Sequence, residues 1–360
     1  SPPVERGSTL LSDRAEDMRN ASLGPVYGLD GLAPQRALAG ALAVLEGAGR
    51  TFLVPSGLSA VTTPLLALTR AGDEVLATDA LYGPSRRFLT RFLAARGVTT
   101  RFHAPGASPE EIASLIGSAT RLILIESPAS LTFEMTDVAA LAALARARGV
   151  LTMMDNTWAA GLAFKPLEHG VDVSVQAVTK YVAGHSDVLL GAVSVADARL
   201  QRALSDAVED LGLHVSPDDA WLALRGLRTL PVRMQAHAQA ALRVAIWLEG
   251  RPEVSRVLYP ALPGADGHAL WARDYAGAAG LMGAVLRNWD EADAHAFMNR
   301  LTLFGLGYSW GGFESLITHE TGQLSLRQTP PQLEGALLRL HVGLEDPDDL
   351  IADLSRAFAG

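Results

Sequence analysis

The chain has 360 residues, of which 49% are hydrophobic and only 19% charged, enough apolar material for one large domain with a smaller one beside it. Its net charge of −9 speaks against a nucleic-acid partner, which calls for a basic face. The absence of cysteine excludes disulfides, thiolate metal sites and a cysteine nucleophile.

There is no run of about 18 uncharged apolar residues, so no membrane span is expected. The opening SPPVERGSTL lacks the basic and apolar regions of a secretory signal, which makes a soluble cytoplasmic protein the default expectation. Because the chain begins at Ser1 rather than Met, further residues are expected to precede it. Residues 1–38 are polar and broken by Pro2, Pro3, Gly7, Gly24, Pro25, Gly28 and Pro34, the pattern of an arm that lies against something else. Tyr27, within this arm, reads on its own as a packed aromatic.

From 36 to 45 apolar residues recur at helical spacing, closed by Gly47 and Gly49. Residues 51–54 read as a short strand, and Pro55-Ser56-Gly57 turns into a helix to about 68, with Ser56 as its cap and a kink expected at Pro64. A strand, a small-residue turn and a helix start make an anion site, since free N–H groups and the helix dipole both favour negative charge. Strands are expected at 74–78, 99–102 and 122–125, and helices at 109–116 and 138–147. Strand and helix trading places at this pace implies right-handed crossovers and a mostly parallel sheet. Tyr82 follows the first of these strands, and Glu126-Ser127-Pro128 follows the third, where it either lines a site or turns the chain.

Two further apolar runs, 151–154 and 171–178, have the length of buried strands, with Asp155 close behind the first and Lys180 behind the second. Ligands of open α/β sheets sit beyond the carboxyl ends of the strands, so acid and amine are expected in one crevice. Lys and Arg total 30, yet only Lys165 and Lys180 are lysines, leaving 28 arginines. An amine can lose its proton when buried and form an imine, which a guanidinium cannot do; Lys180 is assigned that chemistry and Lys165 is read as compositional drift. Amine and acid together are what pyridoxal phosphate needs, the amine holding its aldehyde and the acid keeping its ring nitrogen protonated.

Gly184-His185-Ser186-Asp187 offers two metal-ligand types without a third, so it reads as a hydrogen-bonded turn and no metal site is expected. Helices are expected at 196–211 and 218–248, the second kinked or broken at Pro231. Beyond Arg251-Pro252, strands at 254–258, 280–286, 305–308 and 337–342 alternate with helices at 291–301 and 348–358, a small α/β domain. Arg339 sits in a strand among apolar neighbours and needs a carboxylate, either an internal Asp or Glu or a bound one. The chain lacks GxGxxG after a strand, GxxxxGK[ST] and HExxH. Gly307-Tyr308-Ser309-Trp310-Gly311 fits GxSxG, but no helix clearly follows to form the elbow that motif needs, and the match is read as chance.

The segments VPSGLSAV (54–61), AGDEVLATDALYGPSRRF (71–88), DNTWAAGLAFKPLEHGVDVSVQAVTKYVAGHSDVLLGAVS (155–194), GYSWGGFESL (307–316) and LLRLHVGLEDPDDLIADL (337–354) resemble, in order, the Cys/Met-metabolism family of pyridoxal phosphate enzymes. That family includes cystathionine β-lyases, γ-lyases and γ-synthases and methionine γ-lyases. The resemblance implies an aspartate-aminotransferase-like fold of type I: an arm at 1–38 reaching a neighbouring subunit, a large cofactor domain at 39–250 with a mostly parallel sheet, and a smaller C-terminal α/β domain at 251–360. It implies pyridoxal 5′-phosphate joined to Lys180 and answered by Asp155, with Tyr82 stacked on the ring and the phosphate held by the backbone of Gly57 and Leu58, the hydroxyl of Thr179 and Tyr27 of another subunit. The family's YxR motif reads Tyr27-Gly28-Leu29 here, so one phosphate contact is missing, and Ala177 stands where several relatives carry Ser.

The resemblance further implies that Arg339, Ser309, Trp310 and Tyr27 face a small amino-acid thioether substrate, in a tetramer built from dimers that share active sites. Tyr82-Gly83-Pro84-Ser85 and Ser309-Trp310 resemble bacterial cystathionine β-lyases, Trp310 narrowing the pocket. The expected reaction is therefore β-elimination from cystathionine or a related cysteine conjugate to a thiol, pyruvate and ammonia. Two alternatives stand beside it: γ-elimination or sulfhydrylase chemistry on the same fold, and a cofactor-binding regulatory protein without catalysis.

Overall fold

The computed structural model describes residues 2–360 and contains two sheets. Seven strands form the larger: β1 (Arg50–Val54), β2 (Glu74–Thr78), β3 (Thr99–His103), β4 (Thr120–Glu126), β5 (Leu151–Asp155), β6 (Val173–Ala177) and β7 (Gly191–Val195). Their order is β1-β7-β6-β5-β4-β2-β3. Every pairing from β6 across to β3 is parallel, whereas β7 runs antiparallel to both of its neighbours. The parallel strands read as unbroken apolar runs because helices cover both faces. In β4 the side chains divide by parity: Leu122 and Leu124 join one buried cluster, Ile123 and Ile125 the other.

The smaller sheet comprises β8 (Val254–Leu258), β9 (Leu281–Leu286), β10 (Gly305–Leu306), β11 (Leu316–His319) and β12 (Leu337–His341), in the order β10-β11-β12-β9-β8. Met282, Val285, Leu338 and Leu340 belong to the same apolar cluster as Ile123 and Met154 of the large sheet. The two sheets are thus joined by continuous packing, which fixes the cleft between them. No helix among the described residues is long and apolar enough to cross a membrane.

Helix α1 (Ala33–Glu46) buries Leu38 and Leu42 completely, and α2 (Gly57–Leu68) follows β1. The expected arm end at residue 38 falls inside α1, because Pro34 occupies the first turn, where the missing N–H is no loss. By the same rule the break expected near Pro231 falls just ahead of it: 218–248 forms two helices, Pro217–Leu227 and Leu230–Glu249, with Pro231 in the first turn of the second. Pro64 does not end α2. The strand expected at 305–308 stops at Leu306, while β7 and β11 had no counterpart among the expected elements. The arm lies along helix Pro217–Leu227 of its own chain: Arg6 Nε donates to Asp218 at 2.7 Å, and Trp221 Nε1 donates to the Pro2 carbonyl at 3.1 Å.

Candidate active site

Strands β4, β5 and β6 end side by side, with Glu126 opposite Asp155 and Asp155 opposite Val175. Asp155 Oδ1 accepts from the Thr157 N–H at 3.0 Å and its hydroxyl at 2.5 Å, and Thr157 Oγ1 accepts from the Ala177 N–H at 2.9 Å. This chain of bonds fixes the acid to the end of β6 and leaves Oδ2 without a partner among the described residues. Burial raises the Asp155 pKa, while Thr157 and Lys180 pull it back. Glu126 is pushed well above the usual carboxylate range, first by burial and then by Asp155. Its Oε2 accepts the Tyr82 N–H at 2.8 Å, tying the Tyr82 loop to the floor.

Lys180 stands in the turn that leaves β6, its N–H bonded to the Ala177 carbonyl at 3.0 Å. Arg233, from helix Leu230–Glu249, donates to the Tyr181 carbonyl at 2.7 Å and to the Val182 carbonyl at 3.3 Å, bracing that turn from below. Lys180 Nζ donates to Ser309 Oγ at 2.6 Å and lies 5.2 Å from the centroid of the Trp310 ring. Burial, then the nearby Arg339 guanidinium, lowers its pKa to about 8, with Asp155 opposing. Lys165, by contrast, sits on the surface 3.2 Å from Glu168.

The start of α2 closes the other end of the floor. Ser56 caps it as expected, its Oγ accepting the Ser59 N–H at 3.1 Å. The N–H groups of Gly57 and Leu58 have no partner among the described residues and open onto the cleft. A Cβ on Gly57 would lie 2.4 Å from the Ala177 Cβ, and one on Gly191 would lie 2.2 Å from the Ser56 carbonyl oxygen. Only glycine at both positions allows the helix to begin so close to β6 and β7. Thr179 lines the cleft too, but its hydroxyl donates to the Leu190 carbonyl at 3.1 Å and accepts the Leu190 N–H at 2.9 Å.

The facing wall comes from the C-terminal part of the chain. Ser309 has φ +84°, and Gly311, at φ +85°, packs so tightly on the Lys180 backbone that a Cβ would stand 2.8 Å from the Tyr181 nitrogen. No helix opens after Gly311, so the GxSxG pattern forms no nucleophile elbow. Arg339 is mostly buried, and its charged partner is internal: Glu320 Oε1 lies 3.5 Å from Nη1. At that length the pair leaves the guanidinium face open to the cleft, which Arg339 also lines. The Tyr82 phenol keeps its proton, its pKa raised by burial and by Asp155.

One cleft of about 1070 Å³ collects Gly57, Leu58, Tyr82, Asp155, Thr179 and Lys180 from one side and Ser309, Trp310 and Arg339 from the other. Tyr27 is not brought there by its own chain; it is 54% exposed on the arm. Sequence reasoning had no role for Thr157, Gln323 or Gln328, which also line the cleft, and Glu126 was visible only as a polar residue after a strand. A buried amine, an acid oxygen without a donor and two free N–H groups at a helix start are the donor set of an aldehyde cofactor with a basic ring nitrogen and an anionic tail, so these residues fit pyridoxal phosphate.

The family described as Cys/Met metabolism PLP-dependent enzyme matches residues 1–359. A cystathionine beta-lyase of Bordetella avium is 46% identical over 363 residues, covering 99% of this chain and 91% of that protein. The cystathionine beta-lyase MetC of Escherichia coli K12 is 40% identical over 370 residues, covering 99% and 92%. Among solved structures, metB from Corynebacterium glutamicum superposes with a TM-score of 0.93 at 31% identity, covering 100% of this chain and 92% of that one.

Proposed function

Since the chain belongs to the Cys/Met-metabolism family of pyridoxal-phosphate-dependent enzymes, we propose that it is a carbon–sulfur β-lyase, cleaving cystathionine or a related cysteine S-conjugate to the thiol, pyruvate and ammonia. The observation that carries this reading is the Lys180 amine buried in one cleft with Asp155 and flanked by Trp310. The relatives named cystathionine beta-lyase support the choice of substrate.

When bound, pyridoxal phosphate supplies an electron sink for charge developing at the substrate Cα. Lys180 is the amine that holds its aldehyde and, once free, the base that takes the Cα proton; a pKa near 8 keeps a useful share of it neutral around neutral pH. Ser309 Oγ, 2.6 Å from Nζ, aims that amine. Asp155 sets a fixed negative charge against the ring nitrogen, and the N–H groups of Gly57 and Leu58 take the phosphate. Arg339 offers its open face to the substrate α-carboxylate. Trp310 limits the room beside Lys180, which favours a short Cα–Cβ–S geometry over a longer γ-substituted chain. Tyr82 presents a protonated phenol and a stacking face.

In this reading the protein works in the cytoplasm as a homotetramer of paired dimers, where the exposed Tyr27 of one copy completes a neighbour's phosphate site. The test is product analysis on cystathionine with saturating cofactor. Pyruvate is expected; 2-oxobutyrate would replace the β reading with a γ-lyase, and neither keto acid would remove the enzyme assignment.

A further inference from the structure

Away from the cleft, helix Glu291–Met298 presents Glu291 and His295 one turn apart on a single face, and β11 ends on His319 beside them. One ligand atom from each of the three lies within 4.8 Å of the others. The two imidazoles meet edge to face with centroids 5.3 Å apart, and His295 Nε2 is 3.8 Å from Glu291 Oε1. As an ion pair this contact is long and exposed, so charge pairing alone gives little reason for the arrangement. As a donor set it is more specific. Two imidazoles and one carboxylate suit the borderline divalent transition ions, whereas magnesium and calcium require a shell of oxygens.

We propose that Glu291, His295 and His319 form a binding site for a zinc-class divalent ion, with water completing the coordination. Thr321 supplies the outer support that such sites use: its Oγ1 lies 2.8 Å from His319 Nε2 and accepts the Leu337 N–H at 2.8 Å. With Nε2 engaged by Thr321, Nδ1 is the nitrogen left to bind an ion, and the bond fixes the ring. The site also touches the cleft through the chain. Glu320, next to His319, is the buried partner of Arg339, so an ion that ties the end of β11 to helix Glu291–Met298 also steadies the carboxylate that holds the cleft arginine.

The experiment uses untagged, chelator-treated holoenzyme titrated with zinc by calorimetry and followed by thermal melting. One saturable site per chain is expected, with a raised melting midpoint. His295→Ala, at a half-exposed position that the fold does not need, should lower the affinity at least tenfold and abolish the midpoint shift. Thr321→Val should weaken binding by about 10–100-fold, and Thr321→Ser should restore it. No saturable binding, or binding unchanged in both His295→Ala and Glu291→Gln, overturns the proposal. Neither readout depends on turnover, so the site stands or falls apart from the lyase assignment.

Discussion

The floor and the facing wall of the cleft are held by different means. On the floor, Glu126, Asp155 and Lys180 are placed by main-chain register and by a run of short hydrogen bonds through Thr157 to β6. On the wall, Ser309 depends on a left-handed backbone, and Arg339, though its main chain sits in register within β12, has its side chain held by one 3.5 Å ion pair with Glu320. A floor set by sheet geometry tolerates little change and suits chemistry common to many substrates. Side chains held by a loop or by a single contact can be retuned, which is where selection among sulfur amino acids would reside.

The sharpest way to break this comparison is at the floor. Lys180→Ala should lower kcat by about 10²–10⁴-fold or more, the range for losing a positioned base, while Lys165→Ala should leave kcat and KM unchanged. In the wild type the base is the neutral amine, so kcat should rise as pH increases through about 8, the value to which burial lowers Lys180. A profile flat from pH 7 to 9 would contradict that role.

Legibility followed the same division. Apolar runs of strand length, each with a charged residue close behind, placed Asp155 and Lys180 at neighbouring strand ends, because burial on both faces writes itself into the sequence. The two lone lysines could even be told apart, and Lys165 does sit at the surface beside Glu168. β7 escaped because Gly191 and Ala192 carry no strand signal of their own; the conformation comes from pairing with β1 and β6 on both sides. On the wall, Gln323 reaches the cleft from a single helical turn, Thr321–Leu324, and Gln328 from the bend after it, both too short to leave a periodic signal. The internal partner of Arg339 was foreseen as a type but not as Glu320, since the link runs through tertiary packing rather than spacing.

The wall yields the intermediate effect. Arg339→Ala should raise KM by about 10–100-fold with a smaller change in kcat, as expected when a charged hydrogen-bonding group is lost from substrate binding. Because that change also strands the buried Glu320, Arg339→Lys is the companion variant. It keeps the charge, loses the planar fork, and should still raise KM. Equal loss of kcat and unchanged KM would move Arg339 out of recognition.

The smallest effect concerns strain. Ser309→Gly removes the penalty of a side chain at φ +84° and should stabilise the fold by about 1 kcal/mol in denaturant melts. It also removes the hydroxyl that accepts the Lys180 Nζ hydrogen bond at 2.6 Å, so kcat should fall in the same protein. A kcat that does not fall would mean that the strained serine has no part in aiming the amine.

The two glycines beneath the anion cradle have a consequence for cofactor choice. With Gly57 against the Ala177 methyl and Gly191 against the Ser56 carbonyl, the helix start is pressed so close to β6 and β7 that neither glycine position has room for a side chain. Because the start of α2 cannot retreat from β6 and β7, its two free N–H groups keep a fixed place relative to the Lys180 turn, so a ligand without an anionic tail would leave both donors unanswered.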